Sequence, residues 1–293
     1  MSTKTKAYIN LTLAMIIVGS SVVAGKIMVE ELPVFLGSTM RFVLALAILI
    51  PILYLREGGF PRISRRSWMM LGVQSMCGSF LFTVFLLYGL TMTGPASAGI
   101  ITSTTPACMG IIAWLFLKDR PSRKTATGIV LSVLGVLVIN GVQDSGGVSG
   151  ANPLFGNLLV LGAVVFESLF LLIRKTVPEP LSPLAVSTII SVFGLLWFLP
   201  VGAYEAFTVD LTAISLTGWL TVAYYGAFIT VLAYLFWFAG ITKVPASTAG
   251  IFTAVMPVAA LVLSALVLAE PIGWPQLSGC GFVLCGIVLI SKN

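Results

Sequence analysis

The chain has 293 residues, 58% hydrophobic and only 9% charged, with a net charge of +6, four cysteines and no histidine. Soluble domains carry roughly 25% charged residues, so this composition excludes an ordinary aqueous globule and fits a bilayer. The basic residues lie in short loops between apolar runs, which points to lipid headgroups and argues against nucleic acid as a partner. The missing histidine removes the commonest metal ligand and general base.

A helix needs about 20 mostly apolar residues to cross the hydrocarbon core. Ten runs qualify, predicted at 7–25, 35–55, 67–90, 95–117, 125–142, 154–173, 184–204, 214–239, 246–268 and 275–291. The first follows MSTKTK and superficially resembles a signal peptide, but Gly25-Lys26 is a poor cleavage site, so it is predicted to stay as a membrane helix. It carries Ser20 and Ser21 at depth, and Lys26 as an interface anchor. The second holds Arg41 about two turns inside. Its guanidinium suits a carboxylate or anionic solute, or else anchors the helix to headgroups or carbonyls. The third buries Gln74, which needs partners, and ends near Tyr88, predicted for the interfacial belt.

The fourth run contains Pro106. A helical proline has no N–H, so the carbonyl four residues earlier, that of Thr102, loses its partner. The ninth run repeats the device with Pro257 and Thr253. Free carbonyls and hydroxyls at membrane depth are tolerated where protein or a wet cavity satisfies them. The expectation is that Pro106 and Pro257 kink two cavity-lining helices at Thr102 and Thr253; a static kink with back-bonded threonines is the alternative.

The fifth and tenth runs carry Gly128 with Gly135, and Gly279 with Gly286, each pair a heptad apart. That spacing stacks small residues on one face for close packing. The sixth run places Glu167 deep in VVFESLFLLIRK. An ionisable group at depth is costly and faces the bundle interior. It would partner a substrate amine or a coupling proton, or serve structure, either paired with Arg41 or a snorkelling Lys/Arg or held as a protonated, hydrogen-bonded acid. The eighth run is aromatic, with Tyr224, Tyr225, Tyr234 and Trp237. Aromatics suit a pore for apolar solutes or an interfacial belt; Trp237 is assigned to the belt, and Tyr224 and Tyr225 are open to both.

The chain also contains itself twice. Pro95-Ala96-Ser97 recurs at Pro245-Ala246-Ser247. After one inserted residue the match runs on through Gly99-Ile100 with Gly250-Ile251, Thr102 with Thr253, Pro106 with Pro257, Asp119 with Glu270, Gly128 with Gly279 and Gly135 with Gly286. The predicted organisation is a five-helix repeat over 1–142, a Gly/Ser-rich linker at 143–153 and a second five-helix repeat over 154–293. With the N-terminus cytoplasmic, all of the 16 basic residues except Lys26 and Arg41 fall on the inner side. Five spans per repeat is odd, so the second copy inserts from the opposite face. An inverted repeat of this kind encloses a midplane site and alternates access to it by rocking. Being internally duplicated, the chain is expected to function as a monomer.

Several patterns carry nothing. Asn10-Leu11-Thr12 fits a glycosylation acceptor but lies in a span, and GCGFVLCG has the wrong spacing for a dinucleotide fingerprint. The four cysteines lie inside apolar runs without disulfide or zinc spacing. No Walker A, paired-carboxylate or Cys/His cluster appears, so no cofactor, metal site or ATP-driven engine is expected, and an intramembrane enzyme lacks its nucleophile–base pair.

Together GSSVVAGKIM…ELP…RF, the two PAS…G-I segments, and LKDRPSRKTATGIVLSVLGV with LAEPIGWPQLSGCGFVLCGI resemble the drug/metabolite transporter superfamily, specifically the ten-helix EamA-type exporters. The resemblance covers nearly the whole chain. It implies an all-α membrane fold with both termini cytoplasmic, in the cytoplasmic membrane, and a central cavity lined mainly by helices 1, 3, 4, 6, 8 and 9. It also implies secondary export of small amphipathic metabolites, amino acids including aromatic ones foremost. Cationic drugs are an alternative cargo on the same fold, and a passive channel is a more distant reading.

Overall fold

The computed structural model describes residues 3–102, 104–105, 107–108, 111–112, 123, 126–128, 130–131, 134–135, 138, 152–174, 177, 179–241, 243–244, 252, 255–269 and 272–291. Every regular element among them is helical. In chain order these are α1 (Thr3–Glu31), α2 (Val34–Glu57), α3 (Arg65–Met92), α4 (Pro95–Thr102), α5 (Pro153–Arg174), α6 (Pro183–Thr208), α7 (Leu216–Ile241), α8 (Val255–Val267) and α9 (Trp274–Ser291). A 3-10 turn, Leu211–Ala213, precedes α7.

Six of them, α1, α2, α3, α5, α6 and α7, are long and apolar enough to cross a bilayer. Shorter apolar stretches run through Val258–Val267 of α8 and Leu277–Gly286 of α9. α4 opens the fourth expected span, and most of the fifth lies outside the described residues. The long helices exceed their predicted limits at one or both ends because helix continues past the apolar core into polar flanks. α1, with 29 residues, is about 43 Å long at 1.5 Å per residue.

The boundaries follow local chemistry. α1 stops ahead of Pro33, which disfavours helix in the residue before it. α2 ends at Gly58, whose φ of 74° closes the last turn through an N–H bond to the Tyr54 carbonyl. Ser64, Ser182 and Ser215 cap α3, α6 and α7 by accepting the backbone N–H of Ser67, Ala185 and Gly218. α3 and α7 each widen mid-helix into a π-segment, Met76–Leu81 and Tyr225–Leu232. In the second, the Thr230 hydroxyl donates to the Tyr225 carbonyl at 3.0 Å.

Polarity runs inside out. Leu55, Leu266 and Leu220 are exposed, and the aromatic Phe207, Tyr204 and Trp274 are exposed near helix ends. Ser38, Arg41, Gln74, Ser79, Thr83 and Thr102 are buried. Lipid tails reward apolar surface as readily as protein does, so the interior is where polar groups find partners. Small residues bring the helices together. α3 and α5 meet where Gly89 faces Gly156, and a Cβ on Gly156 would lie 2.9 Å from the Gly89 carbonyl. α2 packs along α6, and α1 packs between α7 and α8. Gly128, Gly135, Gly279 and Gly286 are all buried.

Polar contacts strap the ends. Glu205 of α6 accepts the Leu36 N–H at 2.8 Å, and at the other end Ser182 donates to Glu57 at 2.7 Å. α2 and α6 are therefore pinned at both ends. Lys26 donates to the Leu90 carbonyl at 3.0 Å and pairs with Glu30 at 3.6 Å, tying the end of α1 to that of α3. Between α5 and α6, Glu179 accepts the Ser67 hydroxyl and, at 2.8 Å, the Ser64 hydroxyl. These bonds hold its carboxyl down at about 2.

Candidate functional site

A cavity of about 100 Å³ sits where the π-segments of α3 and α7 approach α1, α2, α5 and the chain just beyond α4. Wide turns of this kind recur at functional sites because they re-aim side chains. α1 contributes Met15, Val18 and Ser21; α3 contributes Gly78, Phe82 and Thr83. Thr102 and Thr105 come from the fourth span, Glu167 and Phe170 from α5, and Met256 from α8. α7 supplies Tyr225, Ile229, Ala233, Tyr234 and Trp237. The spans are those expected, with α2 adding Arg41.

Arg41 is 4% exposed. It donates to the Thr83 hydroxyl at 2.8 Å, and its guanidinium carbon lies 4.5 Å from the Phe42 ring centroid and 4.8 Å from that of Tyr225. Aromatic faces stabilise a buried cation without neutralising it. Its Nε has no hydrogen-bond partner. The close approach that brings Tyr225 over it depends on Gly226, where a Cβ would sit 2.9 Å from the Arg41 carbonyl.

Glu167 approaches from α5. Its Oε2 lies 2.6 Å from the Thr105 hydroxyl. Among the described residues the one ion pair is Lys26–Glu30, so Arg41 and Glu167 share a cavity without pairing. Of the structural alternatives for Glu167, the pair with Arg41 is not formed, whereas a hydrogen bond to a neighbouring hydroxyl is. Within one pocket stand a guanidinium, a carboxyl group and a wall of aromatic rings.

The other expected residues fall in different places. Gln74 is fully buried but outside this lining; its amide donates to the Phe170 carbonyl at 3.2 Å and bridges α3 to α5. Ser20 and Tyr224 line a second groove, about 420 Å³, between α1, α7 and α8 on the side where α1 ends and α7 begins. Their hydroxyls lie 2.7 Å apart. One residue on, Ser21 and Tyr225 face the central cavity, and the Tyr225 hydroxyl donates to the Ser21 carbonyl at 3.3 Å. These two adjacent bonds both join α1 to α7, one beside the groove and one beside the cavity. Trp237, assigned to the belt, is 8% exposed and lines the cavity; helical phase places it with Tyr234 on the inner face of α7. Tyr88 is partly exposed.

Pro106 and Thr253 lie outside the described residues, as do Asp119 and Glu270. Pro257 falls inside α8. Thr83 and Thr105, the partners of the two charges, escaped the sequence reading. Thr105 had a visible signal: it immediately precedes Pro106.

Comparison with known proteins decides the family. The EamA-like transporter family matches residues 5–141 and again 154–292. The chain belongs to the EamA-like transporter family. It is 45% identical over 282 residues to the uncharacterized transporter YetK of Bacillus subtilis (strain 168), covering 96% of this chain and 85% of that one. It is 27% identical to the uncharacterized transporter YyaM of the same strain, over 87% of this chain and 83% of the relative. An uncharacterized transporter of Archaeoglobus fulgidus is also 27% identical, over 98% and 99%. A crystal structure of a protein 17% identical superposes with a TM-score of 0.69, covering 98% of this chain and 96% of that one, which establishes the common fold. The protein is thus a multi-pass membrane transporter, and its relatives are named as transporters rather than enzymes.

Proposed function

We propose that this transporter exports small zwitterionic, amphipathic metabolites, amino acids with aromatic or large apolar side chains foremost. The observation that carries this is the presence of Arg41 and Glu167, unpaired with each other, in one aromatic-walled cavity. Arg41 offers a planar fork for a carboxylate. Glu167 offers a partner for an ammonium, and Phe82, Phe170, Tyr225 and Trp237 offer apolar surface. Cationic drugs would suit Glu167 and the rings, but a buried guanidinium in the same space repels a solute that is purely cationic.

The cycle we infer is alternating access between two inverted five-helix repeats, 1–142 and 154–293. The internal sequence match supports it, and so do the π-segments in the third and eighth spans, the same position in each repeat. Ligand pockets usually enclose about 300–1,000 Å³, so a cavity near 100 Å³ has to widen to admit such a solute. The Lys/Arg distribution supports both termini facing the cytoplasm and a place in the cytoplasmic membrane. The chain is proposed to work as a monomer, with lipid and a small solute as its partners.

The test is counterflow in proteoliposomes across a panel of amino acids, their amides, and cationic dyes, with and without a pH gradient. Accelerated exchange for internal phenylalanine and not for phenylalaninamide is the expected result. Exchange of cationic dyes alone would replace the reading with drug efflux. Flux without acceleration by internal solute would indicate a channel.

A further inference from the structure

The hydrogen bonds around Thr105 carry an inference about the charge state of Glu167. A threonine hydroxyl has one proton to donate and two lone pairs with which to accept. Thr105 Oγ1 lies 2.7 Å from the Thr102 carbonyl oxygen and 2.6 Å from Glu167 Oε2. A carbonyl oxygen accepts only, and so does an ionised carboxylate. One proton shared between two acceptors would leave both bonds long and bent; at 2.7 and 2.6 Å both contacts are full hydrogen bonds only if one of the two outer oxygens brings a proton, and the carbonyl cannot.

The Thr102 carbonyl has a particular claim on the Thr105 proton. In an uninterrupted helix its donor would be the N–H of residue 106, which by sequence is proline and has none. Thr102 is buried, and a buried carbonyl without a donor is costly. Thr105 bonding back to it repairs the gap. The bond left over is then Glu167 O–H to Thr105 Oγ1.

We infer that Glu167 is a proton-binding site, held as a neutral acid in this conformation by the Thr102–Thr105 hydrogen bond, and that a substrate ammonium exchanges with that proton. The exchange rests on the amino-acid reading above; the proton site rests on the hydrogen count alone. In the exchange, the O–H bond of Glu167 breaks and its proton leaves to cavity water. The carboxylate formed takes the ammonium as its counter-ion and the substrate carboxylate faces Arg41, so with a net-neutral zwitterion the pocket gives up the one positive charge that the proton carries away. The Thr105 hydroxyl then turns from the Thr102 carbonyl to the carboxylate. Occupancy of the site is thereby tied to a bond inside the fourth span.

The groups that share the pocket fit this assignment. Arg41 from α2 is the other charge in the lining, and Tyr225 and Tyr234 of α7 are its further titratable side chains. Cys108 of the fourth span lies near Glu167 on the α4 side. α1, α3 and α8 present Met15, Val18, Ser21, Gly78, Phe82, Thr83 and Met256, none of which titrates near neutrality.

Infrared difference spectroscopy of the full chain in lipid vesicles tests the site directly, because the C=O stretch of a neutral carboxylic acid is distinct from the carboxylate stretches. The wild type should show the acid band at neutral pH, and Glu167→Gln should lose it. Pro106→Ala returns an N–H to the Thr102 carbonyl and frees the Thr105 proton for the carboxylate, so the acid band should weaken at neutral pH. Thr105→Ser should keep it, and Thr105→Val, a second route should Pro106→Ala fail to fold, should shift it. Phenylalanine should abolish the wild-type band.

A wild type in which the Glu167-dependent intensity lies wholly in the carboxylate region overturns the inference. So does an acid band indifferent to both Pro106→Ala and Thr105→Val. Phenylalanine carried in counterflow with the acid band unchanged overturns the exchange. An intact band that Glu167→Gln removes, in a protein that carries no amino acid, upholds the proton site and removes the amino-acid reading instead.

Discussion

Replacing Arg41 by Gln gives the sharpest test of how the pocket selects its solute. The guanidinium is buried, holds one hydrogen bond to Thr83, and leaves its Nε unpaired. A carboxylate entering the pocket can therefore take a donor that the protein does not itself use. A hydrogen bond to a charged group contributes about 1.5–3 kcal/mol net, which is roughly a 10- to 150-fold change in Kd. Removal of the charge while Thr83 stays should weaken phenylalanine binding by that factor. Phenylalaninamide, which has no carboxylate, should lose little. The assay is intrinsic tryptophan fluorescence titration of the detergent-solubilised protein, since Trp237 lines the cavity, run on both proteins with both ligands as a double-mutant cycle. Arg41→Lys should fall between, because a compact ammonium cannot reproduce the planar fork. A cycle with no coupling, in which Arg41→Gln costs phenylalanine and its amide equally, refutes the carboxylate assignment and leaves Arg41 as a packing element.

Two further outcomes follow from the polar straps. Glu179 has its carboxyl lowered from 4.5 to about 2 by the Ser67 and Ser64 hydroxyls, so its link between α3 and the α5–α6 connection is present above the unfolded value and lost as pH falls through the folded one. The Tm gap between wild type and Glu179→Gln should therefore be full at pH 7 and shrink as pH falls from about 4.5 towards 2; a gap that stays constant over that range would contradict it. The Ser20–Tyr224 bond ties α1 to α7 in the groove, one residue from the cavity-lining Ser21 and Tyr225. At about 0.5–1.5 kcal/mol for a neutral hydrogen bond, Tyr224→Phe should raise the rate of labelling of a Ser21→Cys probe roughly 2- to 10-fold, and adding Ser20→Ala should change it no further. Additive effects would mean that the two hydroxyls do not act as one latch.

Much of the architecture was readable from the chain because the determinants are local. Apolar run length follows from bilayer thickness, and every long helix among the described residues coincides with a predicted span and extends beyond it at one or both ends. Ser64, Ser182 and Ser215 sit where caps are needed. The candidate site was legible in part. Ser21, Arg41, Thr102, Glu167 and Tyr225 line one cavity, whereas Gln74 is spent on the Phe170 carbonyl and Ser20 and Tyr224 face the neighbouring groove. Trp237 lies near a helix end, where aromatics usually form the interfacial belt, but in the fold it turns inward.

Depth in the membrane came from the sequence alone, since a helix rises a constant 1.5 Å per residue and a charge such as Glu167 or Arg41 cannot be slid to an interface. Direction around each helix axis did not. Spans apolar on every side carry no amphipathic stripe to orient them, and the azimuth is set by where small residues let neighbours close in. Gly226 against the Arg41 backbone and Gly89 against Gly156 are such places. Only that packing decided that a guanidinium and a carboxyl group would face the same small cavity without touching, and that a single threonine proton would have to choose between a carbonyl and an acid.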